Sequence, residues 1–107
     1  MFLEDELLQI VNDRFDDPEF TPNHVKQTYL DVMNKCKSKI REAIDTKEKV
    51  LIKATIDRTI KSYDRSVEQL SKSELKSKRM MAKYFQLFSL KDELFSNSEF
   101  EEMYNKL

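Results

Sequence analysis

Apolar residues recur at every third or fourth position along most of the chain, the spacing that gathers them on one face of an α-helix. This spacing predicts five helices. The first covers about residues 2–15, the second about residues 22–44, and the third opens at Asp45 and runs to about Leu70. A fourth opens at Ser71 and runs to about Phe95, and a short last helix covers about residues 98–107.

Polar start signals agree with this spacing. Three segments place a side-chain acceptor three residues before a glutamate, which is the arrangement of a capping box: Asp45–Glu48, Ser71–Glu74 and Ser98–Glu101. Thr21 followed by Pro22 is a further start signal, because proline at the first helical position needs no hydrogen-bond acceptor. Local signals and periodicity therefore indicate the same helices.

The joints between the predicted helices are very short. Helices of about 20 residues with such joints fold back on one another as neighbours. We therefore predict an all-α protein, an antiparallel helical bundle of four main helices plus a short C-terminal helix. Residues 1–107 are expected to form a single domain.

The composition excludes several kinds of chemistry. Among its 107 residues the chain has no glycine, so glycine-rich phosphate loops and nucleophile elbows are absent. Its one histidine, His24, and its one cysteine, Cys36, lie three turns apart on the predicted second helix. They predict neither a metal site nor a catalytic pair. We expect a protein with no enzyme activity, no cofactor, no metal and no small-molecule substrate.

Charge is segregated along the chain, although the formal net charge is only −1. Residues 1–34 carry eight acidic and two basic side chains, and residues 92–107 carry five acidic and one basic. Residues 35–91 carry sixteen basic and seven acidic side chains. Acidic ends therefore bracket a basic middle.

Two groups of basic residues in the middle are candidate contacts for phosphate or for an acidic partner. The first recurs at helical spacing and predicts a basic stripe on the fourth helix: Lys72, Lys76, Arg79 and Lys83. The second lies opposite the apolar stripe of the third helix: Arg58, Lys61 and Arg65. Three interpretations stay open. These residues contact nucleic-acid phosphates, or an acidic protein, or the acidic ends of this chain or of a neighbouring copy.

Some apolar residues lie off the predicted core stripes. On the third and fourth helices these are Leu51, Ala54, Phe85, Leu90 and Leu94. They either complete the core of the bundle or form an apolar interface with a lysine rim. We retain them as candidate interface residues.

The chain carries no signal for a membrane or an oxidising compartment. No apolar run approaches the roughly 18–20 residues that cross a bilayer. The N-terminal segment is acidic and amphipathic, which differs from secretory and transit peptides. A single cysteine forms no internal disulfide, so a cytoplasmic location is expected.

A short first helix, two long helices and a Leu-Ser-x-x-Glu start to a fourth resemble the helical domain of GINS replication subunits. The residues concerned are Ile56–Tyr63 and Leu70–Glu74. The small β domain that accompanies this helical domain in GINS subunits has no counterpart here. The resemblance implies a helical scaffold subunit of a DNA replication complex.

The sequence therefore favours a small non-enzymatic protein-interaction or regulatory module that self-associates, as a homo-oligomer, or docks on a larger complex. A nucleic-acid-binding regulator that uses the basic stripe is the first alternative. A GINS-like scaffold subunit is the second.

Overall fold

A computed structural model describes residues 3–17 and 19–107 of the chain. These residues form helices and turns, and no strand occurs among them, which confirms the all-α prediction. The predicted helix start at residue 2 lies outside the described residues. The helices are α1 Leu3–Phe15, α2 Pro22–Glu42, α3 Thr46–Ser71, α4 Lys76–Leu87, α5 Leu90–Ser96 and α6 Ser98–Asn105.

The prediction of one continuous fourth helix is wrong, because the chain leaves the helical conformation between α4 and α5. Phe88 has φ −118° and ψ 84°, and Ser89 has φ −60° and ψ 128°. The Ser89 carbonyl then accepts the Glu93 N–H at 3.0 Å and begins α5. Neither glycine nor proline marks this interruption. The local signal is a helix start, because Ser89, at the cap position of α5, is followed three residues later by Asp92.

Two of the four predicted helix starts are confirmed. α2 begins at Pro22, with Thr21 at the cap position. α3 begins after Asp45, whose side chain accepts the Glu48 N–H at 2.8 Å. The Glu48 carboxylate accepts the N–H of Ile44 at 2.9 Å, one residue before the expected position. This exchange satisfies backbone donors that the start of a helix leaves without partners.

The other two starts differ from the prediction. Ser71 still belongs to α3 and Lys72 caps its end, so the fourth helix begins later, at Lys76. The last helix is capped by Asn97 rather than Ser98, because the Asn97 side chain accepts the Phe100 N–H at 2.9 Å. Asparagine and serine are equally good caps, so local preference cannot choose between these neighbours.

All six helices contribute buried residues to one hydrophobic core. α1 packs against both α2 and α3, α4 packs against α3, and α6 packs against α2 and α5. At the centre, the rings of Tyr29, Tyr63 and Phe85 lie 5.8–5.9 Å apart between centroids. Tyr29 donates its hydroxyl hydrogen to the Phe85 carbonyl at 3.0 Å, and the two tyrosine hydroxyls also form a hydrogen bond.

The core face of α4 matches only part of the apolar stripe that its periodicity predicts, which is Met80, Met81, Tyr84, Leu87, Phe88 and Phe95. Met81, Tyr84, Phe88 and Phe95 pack against the core, whereas Met80 and Leu87 are 49% and 75% exposed. The fully buried residues of α4 are Ala82 and Phe85. Apolar residues occur on more than one face of this helix, so their spacing alone does not identify the packed face.

Candidate interaction surfaces

The predicted apolar interface divides between core and surface. Phe85, Leu90 and Leu94 are each only 1% exposed, so the structure contradicts their assignment to an exposed interface. Phe85 belongs to the buried face of α4, and Leu90 and Leu94 belong to α5, which is separated from α4 by the break at Phe88 and Ser89. Leu51 remains exposed, and Ala54 is half-buried.

Leu51 belongs to an exposed apolar cluster at the end of the molecule where α2 meets α3. The cluster also contains Ile44 in the turn and Val50 in the second turn of α3. Ile44 is 88% exposed, and Val50 and Leu51 are each 58% exposed. We call Ile44, Val50 and Leu51 the apolar end. The sequence analysis missed Ile44 and Val50, although Val50 is next to Leu51 and equally far from the core stripe.

A shallow groove of about 300 Å³ adjoins the apolar end. Its walls combine apolar surface with charged groups from both helices: Lys39, Glu42, Ala43, Glu48, Leu51 and Ile52. Apolar surface surrounded by charged side chains has the general make-up of a protein-binding surface.

The basic residues of α3 lie on its outward side, but they differ in their partners. The Arg58 guanidinium lies 3.6 Å from a carboxylate oxygen of Glu4 in α1 and also donates to Thr55. Lys61 and Arg65 are exposed, and neither forms an ion pair with any residue in the described part of the chain. Positive charge without a partner is therefore concentrated at these two positions.

The predicted stripe of four basic residues on one helix does not form. Lys72 caps α3 and lies 3.5 Å from Glu68 of that helix. Arg79 folds back and donates to the Ser73 carbonyl. The remaining two, Lys76 and Lys83, are exposed on α4 and have no ion-pair partner within residues 3–17 and 19–107.

The acidic ends of the chain contact the basic middle within the same molecule. Besides the Glu4–Arg58 pair, Glu6 in α1 lies 3.8 Å from Lys35 in α2. In α6, Glu99 lies 3.5 Å from Lys37 and 3.0 Å from Arg41. Part of the charge segregation is therefore neutralised by folding. Of the seven basic candidates, Arg79 contacts only a backbone carbonyl, and Lys61, Arg65, Lys76 and Lys83 have neither an ion pair nor a side-chain hydrogen bond within the described residues.

Neither His24 nor Cys36 forms a reactive site. The His24 ring nitrogen Nδ1 accepts the Thr21 N–H at 2.9 Å, so the imidazole helps to close the start of α2. Cys36 is buried, and burial raises the pKa of its thiol to about 12, which keeps it protonated and unreactive at neutral pH. Among the described residues, no three His, Cys, Asp or Glu side chains are grouped so that they could hold a metal ion.

Within residues 3–17 and 19–107, no helix combines the length and the apolar character that a membrane crossing requires. No protein-family model, no curated protein and no solved structure matches the chain. The resemblance to GINS subunits stays a hypothesis.

Proposed function

We propose that the protein is a non-enzymatic helical interaction module that docks on a larger protein complex through its apolar end. The observation that carries this proposal is the grouping of Ile44, Val50 and Leu51, each more than half exposed, within two turns of the α2–α3 joint. Single exposed apolar side chains are ordinary on protein surfaces. A group of them beside a groove with a charged rim is typical of a contact surface.

The arrangement of the helices suits such a module. We propose an antiparallel bundle in one domain, in which Tyr29 in the first half of α2 meets Tyr63 in the second half of α3. Ile40 and Ile52, on either side of the α2–α3 joint, pack against the core, so two supported helices present the apolar end. The buried, protonated thiol of Cys36 suits a reducing, cytoplasmic location.

Replacing Ile44 and Leu51 together by aspartate should abolish docking and leave the fold intact, because both side chains are exposed. Leu30→Asp is the matched control, since Leu30 is 48% exposed but lies on α2 about 20 Å along the helix from the joint. Light scattering detects self-association above the 12.8 kDa monomer. Capture from an extract of the producing cells detects a different partner.

We expect the wild type and Leu30→Asp to recover the same complex, and the double variant to lose it. If all three chains behave alike in both measurements, the apolar end is not a docking surface.

Nucleic-acid binding is the second candidate function, and the unpaired Lys61, Arg65, Lys76 and Lys83 favour it. A scaffold subunit of a DNA replication complex would combine this activity with docking. The test is fluorescence anisotropy with labelled single- and double-stranded DNA and RNA across salt concentrations. The comparison chain carries Lys61→Glu, Arg65→Glu, Lys76→Glu and Lys83→Glu. Phosphate contacts predict binding that weakens with salt and disappears in the variant. The absence of binding at low salt would remove this candidate.

A further inference from the structure

The outward face of α3 carries a continuous row of residues with alternating spacings of three and four. We call this row the outer seam: Leu51, Ala54, Arg58, Lys61, Arg65, Glu68 and Lys72. Every member except the half-buried Ala54 is exposed. Lys72 caps the helix, so the seam follows α3 for about 30 Å. Alternation of three and four is the spacing with which one helix packs along another.

The outer seam has a short apolar part and a longer charged part. The two members next to the α2–α3 joint, Leu51 and Ala54, are apolar and continuous with the apolar end. The other five members are four basic residues and one acidic residue, Glu68. Two of these basic residues, Lys61 and Arg65, have no ion-pair partner in the described chain. The seam therefore combines a hydrophobic anchor with a cationic track.

We propose that the partner's docking element is an acidic α-helix that lies along the outer seam. This inference rests on the proposed docking function and specifies the chemistry of the partner. An acid from a neighbouring helix is already held at the edge of the seam. Glu4 of α1 lies 3.6 Å from Arg58 and accepts the Ser62 hydroxyl at 3.2 Å. A second acidic helix would supply carboxylates to Lys61 and Arg65 in the same way.

The orientation of the partner helix follows from its own dipole. Acidic side chains stabilise the N-terminal part of a helix, where the partial charge is positive. A helix with acids in its N-terminal part and apolar residues in its last turns therefore forms readily. To match the seam, its apolar last turns must meet Leu51, so the partner runs antiparallel to α3.

A protein helix fits the outer seam better than a nucleic acid. Leu51 and Ala54 offer nothing to a phosphate backbone, and a phosphate at the charged part would meet the carboxylate of Glu68. Asp57 and Asp64, which line a groove beside Lys61, add further negative charge at this side of α3. A partner helix can place its own side chains to avoid these acids, whereas a regularly spaced phosphate chain cannot.

The test uses a designed fluorescein-labelled helical peptide of about 21 residues. Its seam positions carry leucine in the C-terminal two turns, to meet Leu51 and Ala54, and glutamate in the preceding turns. A second peptide, the exchanged peptide, has the glutamate and leucine segments in the reverse order, and a labelled DNA duplex is the third probe. Two variants carry the same change in net charge on different helices. Lys61→Glu with Arg65→Glu alters the seam, and Lys76→Glu with Lys83→Glu alters α4.

We expect the first peptide to bind the wild type more tightly than the exchanged peptide. Its affinity should fall roughly tenfold or more in the seam variant and change little in the α4 variant, because contact ion pairs are local. Equal losses in both variants would overturn the proposal, since they indicate attraction to overall charge. It would also be overturned if the exchanged peptide bound more tightly, or if neither peptide bound.

Duplex DNA could bind the wild type more tightly than either peptide and lose this binding only in the seam variant. That result would make the seam a phosphate-binding surface instead. Failure of the proposed function is a separate result. The proposed function fails if the chain with Ile44→Asp and Leu51→Asp still recovers the same complex, and this result does not depend on whether the peptides bind.

Discussion

Leu94→Asp should unfold the protein, whereas Leu51→Asp should leave its stability nearly unchanged. Leu94 is 1% exposed in α5, so an aspartate there places a carboxylate in the core. The lost leucine contacts alone cost about 2–5 kcal/mol. The aspartate carboxyl would be buried without a partner, whether it stays charged or takes up a proton, and this adds several kcal/mol to the loss of stability. The sum approaches the roughly 5–15 kcal/mol that stabilises a domain.

Urea denaturation followed by far-ultraviolet circular dichroism measures both variants. Leu94→Ala is the milder companion and should lower the free energy of unfolding by about 2–5 kcal/mol. Leu51 is 58% exposed and serves as the matched control on α3. An unchanged denaturation midpoint for Leu94→Asp would contradict the break between α4 and α5, because a continuous helix is the arrangement that would leave Leu94 outside the core.

The second and third helices were predictable because each has a long apolar stripe and a clear local start signal. Apolar residues that recur at helical spacing in α2 and α3, among them Val25, Tyr29, Ile56 and Tyr63, are buried. Over such lengths, one helical phase fits the apolar positions and no other phase competes with it. The Asp45 cap then fixes the start of α3 through a local contact that needs no knowledge of the rest of the fold.

The region after residue 71 was not predictable in the same way. Its residues include apolar side chains on several faces, so Met80 and Leu87 fit a plausible stripe and yet are exposed. The interruption at Phe88 and Ser89 has only one local signal, the Ser89–Asp92 start pattern, and such a pattern also occurs at Ser71–Glu74, where no helix begins. Tertiary packing, rather than local preference, therefore determines where Leu90 and Leu94 lie.

The candidate surfaces were predictable to a different degree. Arg58, Lys61 and Arg65 were correctly placed on the outward side of α3, because they lie opposite its apolar core stripe. The exposure of Ile44 does not follow from sequence, because a turn residue has no periodicity and its burial depends on which helix covers it. Lys72 was assigned to the wrong helix. The Ser71–Glu74 segment has the sequence of a helix start, but in the structure it lies at the end of α3.

Tyr29→Phe should destabilise the protein considerably more than Tyr63→Phe, although both remove one buried hydroxyl. Burial raises the pKa of both tyrosines above the ordinary value, so each hydroxyl keeps its hydrogen at neutral pH. Tyr29 donates its single hydrogen to the Phe85 carbonyl, and therefore Tyr63 must be the donor in the bond between the two hydroxyls. Tyr29 is thus both a donor and an acceptor, and Tyr63 is a donor only.

Tyr29→Phe takes a donor from the Phe85 carbonyl and an acceptor from the Tyr63 hydroxyl. The Phe85 carbonyl lies in the last turn of α4 and accepts the Tyr29 hydroxyl hydrogen there. Two buried groups losing a partner cost about 2–3 kcal/mol, whereas Tyr63→Phe removes one bond at about 1 kcal/mol.

Urea denaturation of the two single variants and the double variant measures this asymmetry. In the double variant the cost should fall short of the sum of the singles, because Tyr63 no longer has a hydroxyl for the Tyr29 change to leave unpaired. Equal costs for the two single variants, or a strictly additive double variant, would mean that the hydroxyls act independently. The assignment in which Tyr63 donates to Tyr29 and Tyr29 donates to the Phe85 carbonyl would then be wrong.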